Sequence, residues 1–172
     1  LYENGINYAV FDGKKHEFNL WGLHQKQNLE LVLKIVQILK MSGVKISDKD
    51  ISFALKTAFI PARFQYNKEK NIILDGSHNE DASIILRKNL DYYFPDKKRI
   101  WIYGTMSTKE YGKVVKNLFQ NGDTVYLVKF SNPLSVPEED IEKSLPENHK
   151  INIKNFNKTE NILNFSQIKG KK

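Results

Sequence analysis

The sequence of 172 residues contains no cysteine, and no apolar run in it approaches the roughly 20 residues that a membrane-spanning helix needs. Without cysteine the chain has no disulfide, no thiolate metal site and no thiol nucleophile, which fits a reducing compartment. The N-terminal residues also lack a basic segment followed by an apolar one, the pattern of an export signal. We therefore expect a cytoplasmic protein with no membrane association.

Negative charge is in the minority, because the formal net charge is +7. A basic balance is one signature of nucleic-acid binding. The lysines, however, are scattered among acidic residues, and only the final IKGKK is a concentrated basic run. Charge spread in this way is typical of a solvated surface and at most attracts anionic small molecules to a cleft. We expect no nucleic-acid partner.

The N-terminal third combines short strands with two amphipathic helices. Turn residues alternate with short apolar pieces such as NYAVF and HEFNLW, a pattern typical of strands. From His24 onward, apolar residues recur at helical spacing over about 16 residues, and we expect that helix to be buried over much of its girth. A second helix is predicted after Ser47, which stands at capping-box spacing from Asp50, and Pro61 ends it.

After Pro61, strand patterns alternate with helix patterns. The strand NIILD precedes the helix EDASIILRKNLDYYF, RIWIYG precedes TKEYGKVVKNLF, DTVYLVKF precedes EEDIEKSL, and INIKNF precedes TENILNFSQI. Capping-box spacing recurs before the second and third of these helices, at Ser107 with Glu110 and at Ser135 with Glu138. Such alternation implies an α/β fold in which helices flank a mostly parallel sheet.

Two domains are predicted from this change of pattern. Residues 61–172 would form a Rossmann-like domain, and residues 1–60 would be the end of another domain. The sequence has no initiator methionine and opens at Leu1 in a pattern typical of the middle of a sheet. We therefore expect it to be a fragment of a longer chain.

A group of polar residues, DGSHN, lies between the first strand after Pro61 and its helix. In open parallel sheets, ligands bind at the carboxyl ends of strands, where helix N-termini favour phosphate oxygens. Asp75 could accept ribose hydroxyls there, and Gly76 would permit close approach of the backbone. The pattern alone is also explained by capping of the helix by Asp75 and Asn79, with His78 on the surface.

Two other stretches carry residues suited to a nucleotide. In LWGLHQKQN a glycine turn precedes the long helix, and His24 and Asn28 are four residues apart, so both side chains can point the same way. In FIPARFQ, Arg63 follows a proline, and a guanidinium matches phosphate oxygens. Taken singly, the first stretch is also explained by capping and the second by a surface salt bridge.

Together LWGLHQKQN, PAR and LDGSHNE resemble, in order and spacing, motifs of the Mur ligase superfamily, and most closely those of folylpolyglutamate synthase/dihydrofolate synthase. That family carries L-x-G-x-H-Q-x-x-N-A before a long helix, then P-G-R, then D-G-A-H-N-P after a strand. A later strand that ends in glycine and precedes D-K-D resembles IWIYGTMSTKEYG, with Lys109 and Glu110 at the last two positions. The resemblance covers nearly the whole chain.

The resemblance implies an ATP-dependent acid–amino-acid ligase that acts as a monomer. A carboxylate of dihydropteroate or a folate would attack the γ-phosphate of ATP, and the amine of L-glutamate would displace phosphate from the acyl phosphate. Such chemistry needs Mg²⁺ and cationic side chains to neutralise charge while two substrates are oriented. Residues 1–60 would then end the central ATP-binding domain, and residues 61–172 would be the C-terminal domain.

The same resemblance implies roles for individual residues. Asn28 would contact the adenine in a pocket that His24 and Gln25 shape. Arg63 would contact the ATP phosphates, and Asp75 would lie on the ribose side of the nucleotide.

Two further roles are implied near predicted helix starts. His78, the catalytic candidate, would face the glutamate or the transferred phosphate. Lys109 is a further candidate for nucleotide binding. The chain departs from the family pattern at Ala62, which stands where P-G-R has its glycine.

The sequence contains no G-x-x-x-x-G-K-[ST] phosphate loop. The family's magnesium ligands are likewise expected upstream of Leu1, so we expect the 172 residues to form one wall of an active site and to lack ligase activity alone. Two alternatives remain at this point. One is another Mur-type ligase, acting on peptidoglycan precursors or polyamino acids, and the other is a non-catalytic Rossmann-like nucleotide-binding module.

Overall fold

The computed structural model of the protein describes residues 2–145 and 151–155. The chain divides into two compact units, Leu1–Gly76 and Ser77–Lys172. Helices and sheets alternate along it and a parallel sheet is present, so the predicted α/β class is confirmed. The predicted domain boundary after residue 60 stays a prediction.

The first unit begins with an antiparallel sheet of three strands in the order β1-β2-β3. The strands are β1 Tyr2–Glu3, β2 Ile6–Phe11 and β3 Lys14–Phe18. Asp12 and Gly13 form the second turn with φ angles of 47° and 73°. Two successive left-handed residues suit the right-handed twist of a hairpin, which explains why a tight D-G turn follows NYAVF.

Two helices complete the core of this unit: α1 Gln25–Met41 and α2 Asp48–Thr57. The capping box predicted at the start of α2 is confirmed, because Ser47 and Asp50 each accept a hydrogen bond from the other's backbone N–H. The buried core joins residues of β2, β3, α1 and α2: Ala9, Phe11, Phe18, Leu33, Ile51 and Leu55.

The expectation that α1 is buried over much of its girth is wrong. Only Gln25 and Leu33 are buried on it, whereas Val32 is 50% exposed and Ile38 is 61% exposed. The small sheet and α2 cover one side of the helix. On that side Leu29 and Val36 are partly buried and pack against the core. Apolar residues all round a helix predict burial only if a second layer packs against it, and the described residues supply no such layer.

A hairpin of two short strands ends the first unit: β4 Gln65–Asn67 and β5 Ile72–Leu74, paired antiparallel. We predicted β5 as the first strand of the parallel sheet, and this pairing corrects that placement. The reason lies in the turn, where Asn71 has a φ of 53° and the Asn67 side chain accepts a hydrogen bond from the Lys70 N–H. That tight turn returns the chain beside β4.

The second unit contains a parallel sheet in the order β6-β7-β8. Its elements are α3 Glu80–Tyr93, β6 Ile100–Tyr103, α4 Tyr111–Leu118, β7 Thr124–Leu127, α5 Glu138–Lys143 and β8 Asn152–Asn155. Val125 and Leu127 of the central strand are fully buried, as are Val115 of α4 and Ile141 of α5. Val125 and Leu127 lie on one face of the central strand, which is fully buried, whereas Thr124 and Tyr126 on the other face are half-buried.

The other two predicted capping boxes are wrong. Helix α4 begins later than predicted, with Glu110 as an N-cap that makes no side-chain cap bond. At α5 the N-cap is Pro137. The reason is visible there: Ser135 Oγ accepts from the Phe130 N–H and Glu138 Oε1 accepts from the Lys129 N–H, so both side chains serve the preceding loop instead.

Across residues 2–145 and 151–155, no helix combines the length and the apolar character that crossing a membrane demands. The helix predicted in TENILNFSQI and the basic IKGKK lie outside the described residues.

Candidate functional site

The first turn of α1 joins three of the predicted site residues through their side chains. Gln25 is almost fully buried, 3% exposed, whereas Asn28 is exposed. Gln25 Nε2 lies 3.1 Å from His24 Nε2, and Asn28 Nδ2 donates to Gln25 Oε1 at 3.1 Å. His24 makes no side-chain cap bond to the helix, so capping does not explain this group.

The segment around Arg63 has an unusual backbone. Ala62 and Phe64, on either side of the arginine, have φ angles of 52° and 43°, in the left-handed region that side chains other than glycine seldom adopt. Phe64 is completely buried and Arg63 is exposed. The buried ring therefore anchors the loop, and the guanidinium is presented at the surface.

Asp75 holds this loop in place. Its Oδ2 accepts a hydrogen bond of 2.7 Å from the Phe64 N–H, and the next residue, Gly76, donates its own N–H to the Ala62 carbonyl at 2.8 Å. The interpretation of Asp75 as a helix cap is thereby replaced by a tie between two chain segments. Sequence reasoning missed Phe64 altogether, although an aromatic residue directly after P-A-R was an available signal.

His24, Arg63 and Asp75, one residue from each of the three motifs, influence one another electrostatically within the first unit. The pKa of His24 is lowered first by burial and then by the positive charge of Arg63, while the negative charge of Asp75 acts in the opposite direction. These influences require Arg63 and Asp75 to lie near the imidazole. The structure thus brings His24, Gln25, Asn28, Arg63 and Asp75 into one group and keeps the imidazole neutral at pH 7.

The two remaining candidates belong to the second unit. His78 is exposed in the loop before α3, whose N-cap is Asn79: its Oδ1 accepts from the Ala82 N–H at 2.9 Å. Lys109 is half-buried in the turn before α4, where its N–H donates to the Met106 carbonyl. The roles of His78 and Lys109 stay predictions.

A metal site is not evident in the part of the chain that the structure describes, which holds no group of three or more His, Asp or Glu residues able to bind an ion.

Comparison with known families decides the affiliation. The family model of the dihydrofolate synthetase C-terminal domain matches residues 60–162, more than half of the chain. This chain belongs to that family. The resemblance to folylpolyglutamate synthase/dihydrofolate synthase that the motifs predicted is therefore confirmed.

Two curated relatives of this dihydrofolate synthetase family member span much longer chains. A probable dihydrofolate synthetase of Schizosaccharomyces pombe is 29% identical over 123 residues, which are 69% of this chain and 29% of the relative. A dihydrofolate synthase/folylpolyglutamate synthase of Bacillus subtilis is 25% identical over 125 residues, 72% of this chain and 29% of the relative. The chain thus spans less than a third of either relative.

A solved structure shares the fold of this family member. The Escherichia coli FolC protein in complex with DHPP and ADP superposes with a TM-score of 0.68 at 19% sequence identity, over 96% of this chain and 40% of that one. At that identity the likeness concerns the fold.

Proposed function

We propose that this chain supplies nucleotide-binding residues to an ATP-dependent ligase that adds L-glutamate to dihydropteroate or folates through an acyl phosphate. The observation that carries the proposal is the grouping of His24, Arg63 and Asp75 beside the first turn of α1. Membership of the dihydrofolate synthetase family and the ADP in a solved structure of the same fold support it.

Each residue of the group has a chemical task in this proposal. The exposed guanidinium of Arg63 contacts the ATP phosphates and offsets their charge as the carboxylate of the substrate attacks. Asn28 contacts the adenine, in a pocket that His24 and Gln25 shape. We assign the ribose side of the nucleotide to the Asp75 carboxylate, whose Oδ2 also holds the Arg63 loop.

Further tasks fall to groups outside this cluster. We assign His78 to the glutamate or the transferred phosphate and Lys109 to the nucleotide. Mg²⁺ neutralises the triphosphate in such reactions, and the described residues contain no cluster of ligands for it. A cytoplasmic monomer remains our expectation for the intact enzyme.

The test uses the full-length protein that contains this chain. Arg63→Gln should raise the KM for ATP roughly tenfold to a hundredfold, since a hydrogen bond to a charged group contributes about 1.5–3 kcal/mol. Asp75→Asn should also weaken ATP binding, because it replaces a carboxylate oxygen, an acceptor for the ribose hydroxyls, with an amide NH2 group that only donates. The remaining amide oxygen can still accept from the Phe64 N–H, so the loop should keep its conformation. Thermal unfolding of both variants should stay close to that of the wild type.

Lys34→Gln is the matched control, because it removes one exposed positive charge from α1 away from its first turn. The proposal would be refuted if Arg63→Gln and Lys34→Gln had the same ATP kinetics. Binding of ATP without any glutamate addition by the wild-type protein would instead favour a nucleotide-binding module.

A further inference from the structure

The hydrogen bonds of Gln25 have a fixed direction. An amide nitrogen only donates and an amide oxygen only accepts. Gln25 Nε2 donates a hydrogen bond to His24 Nε2, and Gln25 Oε1 accepts one from Asn28 Nδ2. With Gln25 buried, water does not compete for these bonds. The orientation of one amide therefore determines the orientation of the next.

His24 sets this direction at the start of the chain of bonds. A neutral imidazole carries one donor and one acceptor nitrogen, and burial together with Arg63 lowers the pKa of His24, so that the neutral form prevails at pH 7. The amide nitrogen of Gln25 donates to Nε2, which is then the acceptor. A proton on Nε2 would call for the opposite orientation of Gln25.

At the other end of the chain is the exposed side chain of Asn28. Its Nδ2 donates one hydrogen bond to Gln25 Oε1. Within the described ranges no protein group donates a hydrogen bond to its Oδ1. Asn28 thus presents an acceptor oxygen at the surface, with the second hydrogen of Nδ2 beside it.

We propose that Gln25 is a positioning residue that makes the site selective for adenine over 6-oxopurines, an inference that rests on the proposed function. Adenine presents an amino donor at its 6-position beside the N7 acceptor, whereas guanine presents a carbonyl acceptor beside N7. An outward Asn28 Oδ1 accepts from the amino group and opposes a carbonyl. If Asn28 were free to flip, its Nδ2 would serve a 6-oxopurine equally well.

The experiment compares ATP with ITP, which carries a carbonyl at the 6-position and no amino group at the 2-position, in the full-length enzyme. The measured quantity is the ratio of the two dissociation constants, with the ratio of KM values as a second readout. Wild type should prefer ATP roughly tenfold to a hundredfold, the discrimination expected of one well-placed amide.

Gln25→Met and Gln25→Glu form a matched pair of similar size. Methionine releases Asn28, so the ATP/ITP ratio should fall about tenfold, chiefly through tighter ITP binding. Glutamate can only accept, so it keeps Asn28 Nδ2 turned inward and should preserve the ratio. Adding Asn28→Asp to Gln25→Met should restore the ratio, because a carboxylate presents an acceptor in either orientation.

A purely structural role of Gln25 would weaken ATP and ITP alike and leave the ratio unchanged in Gln25→Met, which overturns the inference. If the methionine variant does not fold, Gln25→Ala decides, because it also removes the acceptor of Asn28 Nδ2 and adds no bulk: a lowered ratio supports the inference and an unchanged ratio overturns it. Binding of neither nucleotide by the wild type would refute the proposed function itself, and the inference with it.

Discussion

Ala62, Arg63 and Phe64 show how a strained backbone can present one charged side chain. Ala62 and Phe64, on the two sides of Arg63, both have left-handed φ angles, and the chain bends there. Burial of Phe64 and the hydrogen bond from its N–H to Asp75 hold this conformation against its intrinsic cost. The glycine that the related motif carries at the position of Ala62 would adopt it without steric strain.

Ala62→Gly should therefore stabilise the protein slightly, by about 0.5 kcal/mol. Relief of the left-handed strain, roughly 1–2 kcal/mol, is partly offset by the greater freedom of glycine in the unfolded chain. Urea unfolding measures the difference. As a control, Ala54→Gly, at an exposed position inside α2, should destabilise by about 1 kcal/mol. Equal losses in both variants would contradict the strain argument.

His24 should make stability depend on pH in a defined window. Its pKa in the folded state lies below the usual 6.5 because of burial and Arg63. Well above pH 6.5, His24 is neutral in both the folded and the unfolded protein. As the pH falls below 6.5, the unfolded protein binds the proton first, so the free energy of unfolding decreases until the pH reaches the pKa of His24 in the folded state. Denaturant midpoints at pH 7.5 and 5.5 should differ more in wild type than in His24→Gln. Parallel pH profiles would count against this.

At the scale of elements, the end of β6 is fitted tightly to the segment after β7. The Val128 N–H donates to the Tyr103 carbonyl at 2.9 Å, which continues the parallel pairing one step beyond the strand. A Cβ added at Gly104 would lie 2.6 Å from the Val128 carbonyl oxygen. Glycine is needed there because two backbones approach closely, irrespective of φ.

Gly104→Ala should thus lower the free energy of unfolding by about 1–3 kcal/mol through overpacking. Gly112→Ala is a suitable comparison: it lies in α4, a Cβ there meets nothing closer than 3.9 Å, and alanine favours a helix by up to about 1 kcal/mol. Chemical denaturation of both variants gives the two signs. An unchanged free energy of unfolding in Gly104→Ala would contradict the close approach, because the backbones at Gly104 and Val128 would then be able to move apart without a loss of stability.

At the scale of the whole molecule, the chain holds part of the groups that its proposed reaction needs. The sequence has no phosphate loop, and the described residues have no cluster of metal ligands. The apolar residues exposed on α1, among them Val32 and Ile38, form a face with no cover in the described part of the chain. The chain also spans only 29% of each of the two curated relatives.

The purified 172-residue chain should accordingly show no ligase activity. The sequence has no phosphate loop and the described residues hold no cluster of metal ligands, so nothing there orients or neutralises the γ-phosphate for attack. The assay is release of phosphate from ATP with dihydropteroate and L-glutamate present, with the full-length protein as the positive control. Turnover by the short chain alone would show that its own residues suffice.

Local structure could be predicted from the sequence wherever neighbours in the chain decide it. The starts of α1 and α2, the Ser47 capping box and the strand of the central β7 depend on spacing over a few residues, and the structure confirms them. The grouping of His24, Asn28, Arg63 and Asp75 was accessible only through the ordered conjunction of three motifs, because each motif alone is explained by capping or a surface salt bridge.

Only the tertiary structure decided which groups pair and which are buried. It paired β5 with β4, turned Asp75 from a helix cap into the anchor of the Arg63 loop, and buried Gln25 between His24 and Asn28. It also left much of α1 exposed despite its apolar sequence. Periodicity reports the conformation of a segment, whereas burial and hydrogen-bond partners depend on segments far away in the chain, which no local pattern encodes.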